Sequence, residues 1–367
     1  MSTGLQNDAM PLPTAHPLNT GLTKDSALVS QLRGDRESGP AVWFMRQAGR
    51  SLPEYRELRR TIGMIDSCLT PDVATEITLQ PVRRHGVDAA VFFSDIVVPL
   101  KLAGVDLDIV AGVGPVIGSP VCSDAAAAAL GVLTLEALQP ITDAMTQVVD
   151  ALGETPVVAF GGAPFTLASY LIEGGPSKDL PRTRAMMAQS PALWARILEW
   201  CAEITALFIV TQVNAGASAL QVFDSWAGKL SPEEYRKSAA PYTAMLFEKI
   251  SDLVDSRGQA VPRIHFAVGS APILSDMLAT GATAIGVDTS LTLAHANNLL
   301  GGETPLQGNI AVGLLSGPWP DLERHVVEVL DSGRNAPGHV VNLSHGVPKD
   351  TDPGVLSAIV ELVHAEG

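Results

Sequence analysis

Eight short apolar runs, set apart mostly by helix-length segments, constrain this chain more than any other feature. They lie at 41–45, 88–93, 156–160, 219–223, 263–268, 284–287, 305–308 and 340–343. Several are continuously apolar rather than alternating, the pattern of strands covered by helices on a parallel sheet. The intervening segments carry helix starts. Thr70-Pro71-Asp72-Val73 reads as an N-cap threonine with proline at the first helical position. Ser231-Pro232-Glu233-Glu234 places acidic residues in a first turn, where the helix dipole favours them. Ser190-Pro191 opens a long apolar segment running to Val213, and Asp352-Pro353 opens the last helix. This alternation, with no clear interdomain linker, predicts one α/β domain over residues 26–367, a single (β/α)8 TIM barrel. An open doubly wound sheet is the alternative.

Two stretches fall outside that repeat. Residues 1–25 mix Pro, Thr, Ser, Gly and Asn without periodicity and read as a mobile N-terminal tail. The connection from Asp95 to Pro156 is too long for a simple crossover. It contains Gly112-Val113-Gly114-Pro115-Val116-Ile117-Gly118, a superficial likeness to a phosphate-binding loop. Its last glycine comes one position late and a proline interrupts it, so it reads as a structural loop.

Composition narrows the partners. With 24 Lys+Arg against 39 Asp+Glu, the net charge of −15 argues against nucleic acid and anionic membrane surfaces. The 46% hydrophobic content against 17% charged residues indicates an efficiently buried core. Cys68, Cys122 and Cys201 are scattered, odd in number and without C-x-x-C spacing. That fits a reducing cytoplasm and neither a disulfide framework nor a cysteine-rich zinc site. No segment reaches the roughly 18–20 apolar residues of a membrane span, and no basic region followed by an apolar core marks a signal peptide. H-E-x-x-H, G-x-S-x-G and P-loop motifs are absent.

In barrels of this type the chemistry gathers on loops after the C-terminal ends of strands. Those positions hold Arg46 and Arg50, then Ser94-Asp95, Tyr170, Ser225, Asp288, Asn309 and His345. An acidic protein that binds an anion needs a local basic pocket, and the two arginines are the best candidates. Their planar guanidiniums match carboxylates two donors at a time. Each residue also has a structural reading. Arg46 and Arg50 could pair with Glu54 or Glu57, Asp95 could cap the next turn, and Tyr170 and Ser225 could be scaffold. His345 could be a hydrogen-bonded loop residue, and His265, inside an apolar strand, reads as a core histidine. Arginines with one aspartate, a tyrosine, a serine and a histidine suit a carboxylated organic molecule, with neither metal nor nucleotide.

Several longer motifs carry a specific likeness. They are Trp43-Phe44-Met45-Arg46-Gln47-Ala48-Gly49-Arg50-Ser51-Leu52-Pro53-Glu54-Tyr55, Phe93-Ser94-Asp95-Ile96, and Gly162-Ala163-Pro164-Phe165-Thr166-Leu167 leading to Tyr170 and Glu173-Gly174-Gly175. Gln221-Val222-Phe223-Asp224-Ser225-Trp226-Ala227-Gly228, Leu306-Gln307-Gly308-Asn309 and Asn342-Leu343-Ser344-His345-Gly346 complete the set. From about residue 28 onward the chain closely resembles the uroporphyrinogen decarboxylase family. The resemblance implies a cofactor-free, cytoplasmic, homodimeric (β/α)8 lyase of porphyrin and heme biosynthesis. Its reaction would convert the four acetates of uroporphyrinogen III to methyls, giving coproporphyrinogen III. It implies Asp95, Arg46, Arg50 and Tyr170 as catalytic residues. Asp95 would sit beneath the macrocycle and accept its pyrrole N–H groups, and Arg46 and Arg50 would clamp substrate carboxylates. Arg46 is also a candidate for proton transfer, and Tyr170, Ser225 and His345 would orient the side chains. Two departures stand out: Ala311-Val312 where the family usually has Asp-Pro, and Thr289 where it usually has Trp.

Overall fold

The computed structural model describes residues 11–37 and 39–367. Each of the eight apolar runs contributes a strand, and the long connection adds two more. In chain order they are β1 (Ala41–Val42), β2 (Ala90–Val91), β3 (Leu107–Val110), β4 (Gly114–Ile117) and β5 (Val157–Gly162). β6 (Ala219–Phe223), β7 (Arg263–Phe266), β8 (Ala284–Gly286), β9 (Leu306–Gln307) and β10 (His339–Val341) follow.

Eight of these form one curled, all-parallel sheet in the order β1-β10-β9-β8-β7-β6-β5-β2. From β5 to β10 every neighbour in the sheet is also the next in sequence. A doubly wound sheet reverses its strand order at a switch point; this sheet does not, so the doubly wound order is set aside. No ladder joins β1 to β2. Three hydrogen bonds join the segment just before β2 to β1 and the turn after it: Asp88 N–H donates to the Val42 carbonyl at 2.9 Å, Val42 N–H donates to Asp88 Oδ2 at 2.7 Å, and Gln47 Nε2 donates to the Ala89 carbonyl at 3.0 Å.

Inside the sheet a polar chain links three strands. Trp43 Nε1 donates to Gln307 Oε1 at 3.1 Å, Gln307 Nε2 donates to Gln221 Oε1 at 2.7 Å, and Gln221 Nε2 reaches Met45 Sδ at 3.4 Å. All four residues are buried. A fully bonded network of this kind tolerates burial and favours one register. It holds the end of β1, where the arginine motif begins.

The helices start largely where the sequence places them. Ser231 makes a full capping box with Glu234, and the Asp352 side chain accepts from Gly354 N–H. Thr70 and Ser190 occupy N-cap positions but make no side-chain cap. Thr70 Oγ1 instead donates back to the Asp66 carbonyl at 2.8 Å, closing the preceding helix. The glycine-rich stretch 112–118 is the turn and second strand of the antiparallel β3–β4 hairpin.

Part of the stretch expected as an N-terminal tail docks on the body. Leu12 and Leu18 are buried, Pro17–Thr20 forms a helical turn, His16 Nε2 meets the Val213 carbonyl at 2.9 Å, and Thr23 bonds Ser218 at 2.8 Å. Its anchors are isolated residues rather than a periodic face, so no pattern announces them. Residues 1–10 lie outside the described residues.

Candidate active site

The arginine motif begins where β1 ends. Gln47 N–H donates to the Phe44 carbonyl at 3.0 Å, and Gln47 Oε1 accepts from Phe44 N–H at 3.0 Å, closing a tight turn. Arg46 sits in that turn with φ +60°, a left-handed conformation uncommon outside glycine. The turn is pinned to the loop after β10. Met45 N–H donates to Asn342 Oδ1 at 2.9 Å, and Val347 N–H donates to the Met45 carbonyl at 2.8 Å. Gly346 belongs to the same contact, since a Cβ there would overlap the Arg46 side-chain stem.

Arg46 and Arg50 are both exposed. Their alternative partners are engaged elsewhere. Glu54 takes a two-pronged bond from Arg84, at 2.6 and 2.8 Å, which holds its carboxyl below the usual range. Glu57 lies 3.4 Å from Arg60. Among the described residues neither Arg46 nor Arg50 forms an ion pair. The expected alternative pairings with Glu54 and Glu57 therefore do not form.

Asp95 follows β2, half-buried. Its Oδ1 accepts the Val97 N–H at 3.0 Å, the turn-capping role open to any aspartate after a strand. Among the described residues Oδ2 accepts nothing. Burial pushes the carboxyl above its ordinary value, against the pull of the Val97 N–H and the Arg46 guanidinium. Buried Ser94 Oγ beside it also lacks a hydrogen-bond partner.

Tyr170 projects from the helix Pro164–Glu173 that follows β5. Burial, aided by the Asp95 charge and opposed by Arg46, pushes its phenol up to about 12. Its ring lies 4.2 Å from that of Trp226, tilted by 33°. Ser225, exposed on the loop after β6, stands next to Trp226. His345 is exposed; its Nδ1 accepts the Gly346 N–H at 2.8 Å, which puts the proton of the neutral ring on Nε2. Partial burial of the ring, then the Arg46 charge, lowers its pKa.

The Arg46 charge thus acts on Asp95, Tyr170 and His345 alike. These side chains follow β1, β2, β5 and β10, and Arg50 lies four residues beyond Arg46 on the same loop. Two rim residues do not join them. Asp288 is consumed as a loop clamp, accepting Gly269 N–H at 2.6 Å and both Ser290 N–H and its hydroxyl. Asn309 Nδ2 donates to the Asp288 and Leu291 carbonyls at 2.9 and 2.6 Å. His265 is fully buried against the Met277 carbonyl and Thr280, a core histidine. Among the described residues no group of three or more His, Cys, Asp or Glu is placed to hold a metal ion. Sequence reasoning overlooked Trp226, which walls Tyr170; its signal was an aromatic directly after a strand-end serine.

The uroporphyrinogen decarboxylase (URO-D) family model matches residues 23–366, from before β1 to the last helix. The chain belongs to the uroporphyrinogen decarboxylase family. Two curated members illustrate how close the relation is. The uroporphyrinogen decarboxylase of Arthrobacter sp. (strain FB24) is 52% identical over 345 residues, covering 94% of this chain and 98% of that protein. That of Leifsonia xyli subsp. xyli (strain CTCB07) is 50% identical, covering 96% and 98%. Among solved structures, a methyltransferase from Methanosarcina mazei superposes with TM-score 0.77 at 19% identity, covering 94% of this chain and 98% of that one. At that identity the likeness speaks for the fold alone. The two departures, at Ala311-Val312 and Thr289, sit after β9 and β8. Ala311 N–H donates to His325 Nε2 at 3.0 Å, ahead of the short 3-10 helix Val312–Ser316, and Thr289 is exposed.

Proposed function

We propose that this chain decarboxylates the four acetate side chains of uroporphyrinogen III, giving coproporphyrinogen III, without a cofactor. The observation that carries the reading is the Arg46 cluster: an arginine free of carboxylate partners, electrostatically coupled to a half-buried aspartate with one unoccupied oxygen. Roughly 50% identity to proteins named for this activity supports it.

Each step consumes one proton and releases one CO2. A proton adds to a pyrrole carbon next to the ring position bearing the acetate, making the ring a cationic electron sink. The C–CO2 bond breaks, its electron pair flows into the ring, and CO2 departs. The exocyclic methylene left behind takes a proton to become methyl, and the first proton is lost as the ring regains aromaticity. The protein's task is to hold the macrocycle, stabilise the cation and position protons.

Asp95 suits the centre. Ionised, its carboxylate only accepts, and pyrrole N–H groups only donate. Its negative charge opposes the developing positive one. Arg46 and Arg50 clamp peripheral carboxylates, each charge-assisted bond contributing about 1.5–3 kcal/mol. His345 Nε2–H and the protonated Tyr170 phenol donate to substrate carboxylates, and Ser225 orients them from the β6 loop. Arg46 is an unfavourable proton donor, since a free guanidinium holds its proton to above about pH 12.

The reading extends to architecture. We propose one catalytic domain over 26–367 whose sheet is a closed (β/α)8 barrel, supported by the three hydrogen bonds joining the segment just before β2 to β1 and the turn after it. Among the described residues no helix is long and apolar enough to cross a membrane. The resemblance carries a cytoplasmic location and a homodimer, the latter checked by sedimentation of the purified chain.

The test is anaerobic incubation of the purified protein with reduced uroporphyrinogen III and nothing else added, followed by oxidation and separation by carboxylate number. Stepwise appearance of hepta- through tetracarboxylate species is expected. No conversion would overturn the reading.

A further inference from the structure

One buried charge beside the site remains without a role. Asp224, the residue between β6 and Ser225, is 0% exposed. Its Oδ1 accepts the Thr166 hydroxyl at 2.8 Å. Among the described residues its Oδ2 has no hydrogen-bond partner; His265 Nε2 lies 3.6 Å away and is likewise without one. The Tyr235 hydroxyl, buried close enough to feel the Asp224 charge, also lacks a partner among the described residues. A buried carboxylate with a single side-chain hydrogen bond is an expensive way to stabilise a loop; a packed apolar residue serves a fold as well or better.

The geometry of Thr166 gives Asp224 a use. The Thr166 hydroxyl donates to Asp224 and accepts the Trp226 N–H at 3.4 Å, so one side chain grips both flanks of Ser225. Thr166 and Tyr170 are four residues apart on the helix Pro164–Glu173 and therefore share a face. That face meets the β6 loop twice: Thr166 holds its backbone, and Tyr170 stacks on the Trp226 ring. Asp224 N–H donates to the Phe266 carbonyl at 2.8 Å, anchoring the loop to β7.

We propose that Thr166 and Asp224 form a latch that positions the β6 loop, with Ser225 and Trp226, against the Tyr170 helix. Both are positioning residues and act through Tyr170 and Ser225. The substrate must be reseated for each acetate, so a loosened wall slows the later steps and intermediates accumulate. This consequence rests on the decarboxylase reading; the latch itself does not.

Thr166→Val removes the hydroxyl at nearly constant shape, and Thr166→Ser keeps it. Two readouts separate positioning from general stability: amide exchange of residues 224–230, and the ratio of intermediates to coproporphyrinogen at fixed substrate consumption. The valine variant should exchange faster there, turn over about tenfold more slowly with KM for the first acetate little changed, and stall at intermediates. Serine should restore all three. Wild-type exchange and product ratio in the valine variant would overturn the proposal. If that variant does not fold, Asp224→Ala, which removes the acceptor, must move both readouts in the same direction, and wild-type values in it would overturn the latch. A wild-type protein that converts no substrate instead overturns the decarboxylase reading.

Discussion

Replacing Asp95 by asparagine separates charge from shape. The amide oxygen can still accept the Val97 N–H that Oδ1 now takes at 3.0 Å, so the turn after β2 should survive. What disappears is the negative charge on the unoccupied oxygen, replaced by an N–H₂ group that faces the pyrrole donors with donors of its own. A cationic ring about 4 Å from a carboxylate, at an effective dielectric near 20, is stabilised by about 4 kcal/mol. Losing all of it would slow turnover about a thousandfold. Water and the amide dipole recover part, so the expected fall in kcat is about a hundred- to a thousandfold. Stability should move the other way. Burial raises the folded carboxyl above its unfolded value near 3.9. The folded state therefore binds that proton more tightly, and stability falls as pH rises through the interval between the two values. An ionised carboxylate in that setting is a cost to the fold, which asparagine removes. Anaerobic turnover and thermal melting at pH 7 read both arms. Near-normal turnover would remove Asp95 from the mechanism, and a marked drop in Tm would show that its role was structural.

Arg50→Ala should raise KM roughly ten- to a hundredfold, one charge-assisted clamp of about 1.5–3 kcal/mol, with kcat less affected; unchanged half-saturation would count against the clamp. Glu54→Ala and Arg84→Ala break an exposed pair and should each change stability by no more than about 1 kcal/mol while leaving KM alone. A raised KM in Glu54→Ala would mean that Glu54 serves the arginines after all. His85 is buried against Ser357, and burial first, then Arg84, lowers its pKa to about 4. The unfolded chain thus binds more protons between pH about 6.5 and about 4, so stability falls as pH falls through that window. His85→Gln should flatten this acid limb in melts taken from pH 7 to 4, and an unchanged slope would refute the assignment.

The strands were legible because continuous apolar runs punctuated by helix caps leave few other architectures, and all eight runs hold a sheet strand. The β3–β4 hairpin was not legible as strands, since glycine and proline at 112–115 read as loop whether or not backbone pairs across them. Residues 11–25 escaped for a related reason: Leu12, His16 and Leu18 dock singly, and single anchors have no period. At the site, strand-end position located the rim but not the partners. Asp95 and Asp288 both follow a strand, yet Asp95 keeps an oxygen free while Asp288 spends both on loop donors. Glu54 was a plausible mate for Arg46 by spacing, and only the fold brings Arg84, thirty positions along the chain, to claim it. Sequence proximity states which groups can meet; the backbone path decides which do.

Arg46 shows how the fold holds function against local preference. A left-handed φ of +60° costs a non-glycine residue about 1–2 kcal/mol, and glycine would adopt it freely. The chain keeps arginine, and the bonds of Gln47, Asn342 and Val347 hold the turn in place. Arg46→Gly should therefore relax the backbone while deleting the charge shared by three side chains. Arg46 pulls the Asp95 and Tyr170 pKa values down and pushes His345 down with them. Without it all three must rise: two acids lose a counter-charge and one base loses a like charge. The His345 imidazole is the practical reporter, because its ring protons follow its titration directly by NMR. An upward shift of that titration, with undiminished thermal stability and lost turnover, is expected. A His345 titration indifferent to Arg46 would mean that the four residues do not form one electrostatic site, and the proposed chemistry would lose its centre.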